Sequence, residues 1–408
     1  MHEKILTEVE KLENQIVNTL IRLCSIPAVS PHNGGEGEDK KIQELEKIIH
    51  ELGLADKAKI KYEYVDDEKA PSGKRPSLFL EYPGKKSQRL CILSHVDVVP
   101  GGNLKPFVQG SKLYGRGVCD NGAGLVPSLF ALKALLNAGL ESEYTVLLAF
   151  VADEETGSHY GLEKLIERDL FRPDDLVLVP DWGNEKGDFI EIAEKSVLRL
   201  HFKVTGKQVH AAYPNRGLNA CRVANILACE VDEALHKAFF RINRINTLFD
   251  PPLSTFEPTR RLANVPNVNT VPGEENFSFD CRVLPEISLD EVQDLVEKIC
   301  KEIETSLDGW GSKIELQVEK SPAPAPTSPD SEVTRLLIKN IREVLKLEPF
   351  LGGVGGGTLA AFFRQKNIPA VVWSQVSEDS MHQPDEFIEI KFLVNNAKVF
   401  ALMMAEAI

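Results

Sequence analysis

The chain contains no uninterrupted apolar stretch of the roughly 18 residues that a membrane-spanning helix needs, so nothing in it reads as a bilayer span. It has no CxxC pair. Its seven cysteines, at 24, 91, 119, 221, 229, 281 and 300, are odd in number and scattered. That argues against a disulfide framework or a thiolate zinc site and leaves most of them as small buried apolar residues. Positive charge is in short supply: 47 lysines and arginines against 61 aspartates and glutamates give a formal net charge of -14 with no basic stripe. Such a surface suits neither nucleic acid nor an anionic membrane. The N-terminus, MHEKILTEVEKLENQIVNTLIRL, lacks the basic start and unbroken apolar centre of a signal peptide and has apolar residues at helical spacing instead. Together these absences predict a cytoplasmic protein without a membrane or nucleic-acid partner.

At 408 residues the chain exceeds one ordinary core, and 43% hydrophobic with 26% charged residues is the balance of a soluble globular protein. Three apolar segments, LCILSHVDVV, YTVLLAFVADEETGS and DLVLVPDWGN, read as strands ending in HVD, DEE and PD, with helices between them. This predicts an α/β fold with a mixed, mostly parallel sheet, whose carboxyl edge is where sites form. From about Ser196 the texture changes. VLRLHFKVTG and NTVPGEENFSFDCRVLP alternate, SKIELQVEKS follows as a further strand, and NACRVANILACEVDEALHKAF and ISLDEVQDLVEKICKEIETSL read as helices. Helices on one side of an antiparallel sheet make an α+β unit. The proline-rich SPAPAPTSPD then reads as a linker, and the α/β texture returns beyond it. The reading is a discontinuous domain of residues 1–195 and 321–408, interrupted by an insert of 196–320.

His95, Asp120, Glu154, Glu155, Asp181 and His382 stand beside short apolar runs or glycine-rich turns. Spread acidic and imidazole side chains of this kind are what a two-metal hydrolytic centre requires. His95 and Asp97 are two apart at a strand end, so their side chains leave on one side, and Asp97 suits the carboxylate that orients a ligating imidazole. Glu154 and Glu155 are adjacent and must diverge, leaving one free for proton transfer. Singly, each has a plainer reading: a strand-end histidine is more often a satisfied polar residue, and DEETGS alone could cap a helix. GGVGGGT lacks the lysine and the spacing of a phosphate loop, which weakens a nucleotide-binding reading. Coincidence at one sheet edge favours the metal reading.

The motifs HVDVVP, YGRGVCDNGAG, DEETGS, VHAAYP, NVNTVPG and MHQPDEF, in this order, resemble the M20 family of dinuclear zinc amidohydrolases. The likeness covers nearly the whole chain. It implies a zinc-hydrolase domain with an inserted ferredoxin-like lid and dimerisation domain, and hence a homodimer. His95 and Asp181 would bind one zinc, Glu155 and His382 the other, and Asp120 both, with cobalt or manganese as substitutes. Glu154 would be the general base and Asp97 the partner of His95. His210 and Asn269 resemble residues that reach a neighbouring subunit's site and stabilise an oxyanion. Arg282 and the segment Gly356, Gly357 and Thr358 resemble the grip on a substrate carboxylate. The Asp120–Asn121 peptide would be cis.

The chain departs from the family pattern in places. Ser94 replaces a common glycine, GGNLKPFVQGSK is short and lacks a tryptophan, and DNGAG replaces the usual aspartate, methionine, lysine, glycine. At Asp181 the family carries aspartate in members acting on free amino termini and glutamate in deacylases and carboxypeptidases. The resemblance implies hydrolysis of an N-acyl-amino acid, as in succinyl-diaminopimelate desuccinylase or acetylornithine deacetylase, while Asp181 pulls the other way. Its alternative is cleavage of short peptides with a free amino terminus. An inactive, metal-stabilised binding protein is the competing reading from another class, and the free carboxylate of Glu154 speaks against it.

Overall fold

In the computed structural model, which describes residues 1–240, 244–306 and 312–407, the chain divides into two compact units. The first takes Met1–Ile192, Pro326–Gly352 and Thr358–Ile408; the second takes Ala193–Ala325 and Gly353–Gly357. The glycine-rich segment, expected with the discontinuous domain, thus clusters with the insert. Its backbone explains why: Gly353 N–H donates to the Leu248 carbonyl at 2.6 Å, and the Val354 carbonyl accepts from Lys195 N–H at 3.0 Å.

Along the chain the first unit supplies α1 (Asp39–Glu51), β1 (Lys59–Asp66), β2 (Lys74–Tyr82), β3 (Lys86–His95), α2 (Gly122–Asn137), β4 (Tyr144–Val151), β5 (Leu176–Asn184) and β6 (Phe189–Glu194). The second supplies β7 (Ser196–Thr205), α3 (Ala220–Phe239), β8 (Thr255–Arg261), β9 (Glu274–Val283), α4 (Leu289–Ser306) and β10 (Lys313–Ser321). The return adds β11 (Phe350–Val354), β12 (Ala370–Gln375) and α5 (Ile390–Ala405).

One eight-stranded sheet runs β1-β2-β4-β3-β5-β12-β6-β11. It is mixed: β3 is parallel to β4 and β5, and β5 to β12, while β1, β2 and β4 pair antiparallel and so do β12 and β6. The central strands are apolar on both faces because helices cover both. α2 is apolar all round and almost wholly buried, and it packs against α5 and the sheet. On the opposite face Leu162, Leu165, Phe171 and Phe363 meet Leu93, Leu147 and Val177.

Two strands end differently from the sequence reading. β3 stops at His95, so Asp97 lies in the turn beyond it and not on one strand with His95. β5 runs on through Asp181 to Asn184, but its pairing with β12 slips. Val372 faces Val179 and Ser374 faces Gly183, so Pro180, Asp181 and Trp182 stand opposite Trp373 alone. The bulge takes Asp181 out of the ladder. Regular pairing can resume because residue 183 is glycine; a Cβ there would stand 1.8 Å from the Ser374 carbonyl oxygen.

In the second unit an antiparallel sheet runs β8-β9-β7-β10. With α3 and α4 between strands this is the βαββαβ order of a ferredoxin-like unit. Leu198, Leu200 and Phe202 alternate into one core with Val223, Leu227, Val292 and Val296 of the two helices. β8 was not legible in TFEPTRR, which exposes five of its seven residues and holds Pro258 beside a bulge. An edge strand tolerates both. The predicted second helix ends at Ser306, and its Leu307 lies outside the described residues. Among the described residues no helix is long and apolar enough to cross a membrane.

The bulge gives a direct test. Gly183→Ala should cost at least about 2 kcal/mol, because a side chain forced against backbone overpacks a site that cannot yield. Urea unfolding would show it, and an unchanged midpoint would contradict the close approach.

Candidate metal centre

His95 ends β3 and is buried, at 1% exposure. Its Nδ1 lies 3.1 Å from the carbonyl oxygen and 3.5 Å from the Oδ1 of Asp97. A proton on Nδ1 is thereby satisfied, and Nε2 is turned toward the cluster. There it meets Asp120 Oδ1 at 2.9 Å and Asp181 Oδ1 at 3.2 Å. His382, half exposed and in the left-handed region at φ 61°, points its Nε2 at Asp120 Oδ2, 2.9 Å away, and at Glu155 Oε2, 3.2 Å away. Potential ligand atoms fall into three close groups: His95, Asp120 and Asp181; Asp120, Glu155 and His382; and His95, Glu154 and Glu155. The first two share Asp120, one oxygen to each imidazole.

The backbone around these side chains is held by buried charge. Glu386, 1% exposed, accepts the N–H groups of Gly117, Cys119 and Asp120 at 3.1, 2.9 and 3.0 Å and pairs with Arg116 at 2.6 Å. The Asp120–Asn121 peptide is cis, and the Asn121 amide donates to Asp181 and to the Pro180 carbonyl. Asp97 accepts the N–H groups of Glu154 and Glu155 at 3.1 and 3.0 Å. Its carboxylate therefore fixes the glutamate turn, while its carbonyl is the nearer partner of His95. From α1, Lys41 donates to the Val96 carbonyl at 3.0 Å. Sequence reading missed Arg116, Glu386 and Lys41, and named Asn121 only for its peptide bond. Glu386 had a signal, its place in MHQPDEF; Lys41 had none, since a lysine on an amphipathic helix ordinarily reads as exposed.

Electrostatics set this cluster apart. Burial, reinforced by Asp181, pushes the Glu154 carboxyl well above its usual range, and burial raises Glu155 too. Burial disfavours charge on His95, yet Asp181, Asp120 and Asp97 outweigh it and hold its pKa well above the ordinary value. Hydrogen bonds to Asp120 and Glu155 raise His382 to about 10. Burial works to raise Asp120, but the two imidazoles bring it below the normal carboxylate range. Such crowding of oxygen and imidazole donors is what a divalent cation relieves. A tetrahedral ion with bonds of about 2.0–2.1 Å keeps its ligand atoms about 3.3 Å apart. The 2.9–3.2 Å separations here are close to that.

The remaining predicted residues stand on other elements. His210 is exposed on a two-residue strand paired with 270–271, and its Nδ1 accepts the Ala212 N–H at 3.1 Å. The Asn269 carbonyl accepts the Ala211 N–H at 2.8 Å on the same ribbon. Arg282, on β9, donates to Asp280 and, at 2.9 Å, to the Gly355 carbonyl; Gly356 is next to that contact, and nothing stands within 4 Å of a Cβ placed on Gly357. All of these belong to the second unit. Thr358 belongs to the first, where its hydroxyl accepts the Ala360 N–H at 3.2 Å.

A mixed sheet whose strand ends and bulge, with the turn of Asp120 and the loop of His382, gather two imidazoles and four carboxylates is the architecture of a metallohydrolase. Residues 91–406 match peptidase family M20/M25/M40, and the chain belongs to that family of metal-dependent enzymes; it is a hydrolase of amide or peptide bonds. It is 36% identical, over 97% of its length and 98% of the relative's, to an uncharacterized metallohydrolase of Methanocaldococcus jannaschii. It is 28% identical, over 77% of its length and 78% of the relative's, to succinyl-diaminopimelate desuccinylase of Helicobacter pylori. In fold it is similar to a tripeptidase from Staphylococcus aureus, with a TM-score of 0.75 at 20% identity over 96% of this chain and 98% of that one.

Protons and cations should compete here. A His382 pKa raised to about 10 stabilises the cation-free fold fully below the unfolded value near 6.5, and that gain disappears as pH climbs through about 10. At pH 7 a cation must therefore displace protons. Calorimetric titration of Co2+ in two buffers of different ionisation enthalpy should give different heats. Equal heats would contradict the coupling.

Proposed function

We propose that this enzyme hydrolyses the amide bond of an N-acyl-amino acid, using two divalent cations, zinc foremost with cobalt or manganese as substitutes. The observation that carries the reading is Asp120, whose two oxygens face His95 and His382 separately. In this reading His95 and Asp181 would hold one ion, Glu155 and His382 the other, with Asp120 serving both groups. Two such ions, when bound, would supply an activated water by lowering its pKa from 15.7 toward about 7. Glu154 would take a proton from the attacking water and return it to the departing amine. Its carboxyl is buried and held above the ordinary carboxylate range by desolvation, which eases both uptake and return of a proton. Asp97 keeps the Glu154 turn and the His95 ring in register.

Oxyanion stabilisation is assigned to His210, with Asn269 beside it on the same ribbon, acting on a neighbouring subunit in a homodimer. The substrate carboxylate is assigned to Arg282 with Gly356, Gly357 and Thr358. The contact of Arg282 with the Gly355 carbonyl supports treating arginine and glycine segment as one element.

Asp181 favours a second reading. Aspartate, not glutamate, stands at this position, as the resemblance implies for members acting on free amino termini, so short peptides with a free amino terminus are the alternative substrates. A panel of succinyl-diaminopimelate, acetylornithine, and free-amino di- and tripeptides, each with added zinc or cobalt, separates the two. Turnover confined to acylated amino acids is expected; turnover confined to free-amino peptides would establish the alternative.

Glu154→Gln should lower kcat by at least about 10²-fold, the scale of a positioned base, with about two metal ions per chain retained. An active variant would refute the base assignment, and a protein that takes up no divalent metal would refute the centre itself.

A further inference from the structure

The turn that carries Glu154 and Glu155 is held from two sides, and the site as described uses only one of them. Asp97 takes both N–H groups. On the other side stands Asp153, fully buried and in the left-handed region at φ 71°, a conformation uncommon for a residue with a side chain. Its carboxylate accepts the Tyr160 N–H at 2.7 Å and the Thr156 hydroxyl, and its carbonyl accepts the Ser158 N–H at 2.6 Å. One side chain thus closes the loop that follows β4.

The charge of Asp153 is met by Arg75, at the start of β2, whose Nη1 lies 3.0 Å from Asp153 Oδ1. Arg75 is 0% exposed. Its Nε and Nη2 donate to both oxygens of Glu38, the first at 2.7 Å, and Nη1 also lies 3.3 Å from Asp67 Oδ2. A planar guanidinium gripped through two parallel bonds has a fixed orientation. The remaining nitrogen is thereby held where it donates to Ser30 and Asp67, both at 3.3 Å, and stands as the counter-charge beside Asp153, one residue before Glu154. Lysine could supply the charge but not the fork.

We propose that Arg75 is a positioning residue for Glu154, acting through Asp153 on the turn the two acidic residues share. The inference rests on Glu154 being the base, so its test must separate the two claims.

The cobalt-loaded enzyme is assayed with the panel substrate it turns over fastest. Arg75→Lys should lower kcat about 10- to 100-fold, the cost of a misplacement on the order of 1 Å, with KM unchanged. In the Glu154→Gln background the same substitution should change the residual kcat by less than about threefold, because a group cannot be mispositioned once it has been removed. Hydrogen exchange at residues 153–160 should quicken about tenfold while β4 keeps its protection. If Arg75→Lys does not fold, Asp153→Asn, which keeps shape and removes charge, carries the same cycle and exchange measurement. Full turnover by Glu154→Gln would remove the base and this inference together. A crippled Glu154→Gln combined with equal losses in both backgrounds, or with unchanged exchange at 153–160, would overturn the positioning role alone.

Discussion

Asp120 presents one carboxylate oxygen to each of two imidazoles, and much of the irregular structure in the first unit keeps it there. A carboxylate can serve two partners only if its backbone is fixed to a fraction of an ångström. Three consecutive-turn amides bonded to the buried Glu386 supply that fixing, and Arg116 balances the Glu386 charge. The bulge in β5 brings Asp181 to the same place from the sheet, tied to Asn121.

The supports are ionic where a core would ordinarily be apolar. Arg75 and Arg116 are each no more than 3% exposed, and so are their partners Glu38, Asp153 and Glu386. Burying such pairs yields little net stability, since desolvation offsets most of the attraction. What they provide is direction: a bidentate guanidinium or a carboxylate with three donors has one good geometry, and a leucine in its place would have many. The centre is built to hold position, and the apolar strands carry the folding energy.

The fold and the chemistry were unequally legible. Strands β3, β4 and β5 announce themselves because a parallel strand covered on both faces has room for polar residues only near its end, and His95 and Glu154 stand out there. Asp181 was found as the acidic tip of an apolar strand but misplaced, since the bulge depends on pairing with β12 far along the chain. β8 was invisible because an edge strand with Pro258 carries no alternating pattern. Lys41, Arg75 and Glu386 were missed for one reason: charged residues read as surface until their partners are known. His210, Asn269 and Arg282 were singled out only through family resemblance, and their assigned roles still stand on it.

The most direct measurement of the central claim is a crystal structure of the cobalt-loaded enzyme with anomalous scattering at the cobalt edge. Two peaks are expected, both contacting Asp120, one also contacting His95 and Asp181 and the other Glu155 and His382. A single peak, or two peaks of which only one touches Asp120, would contradict the account.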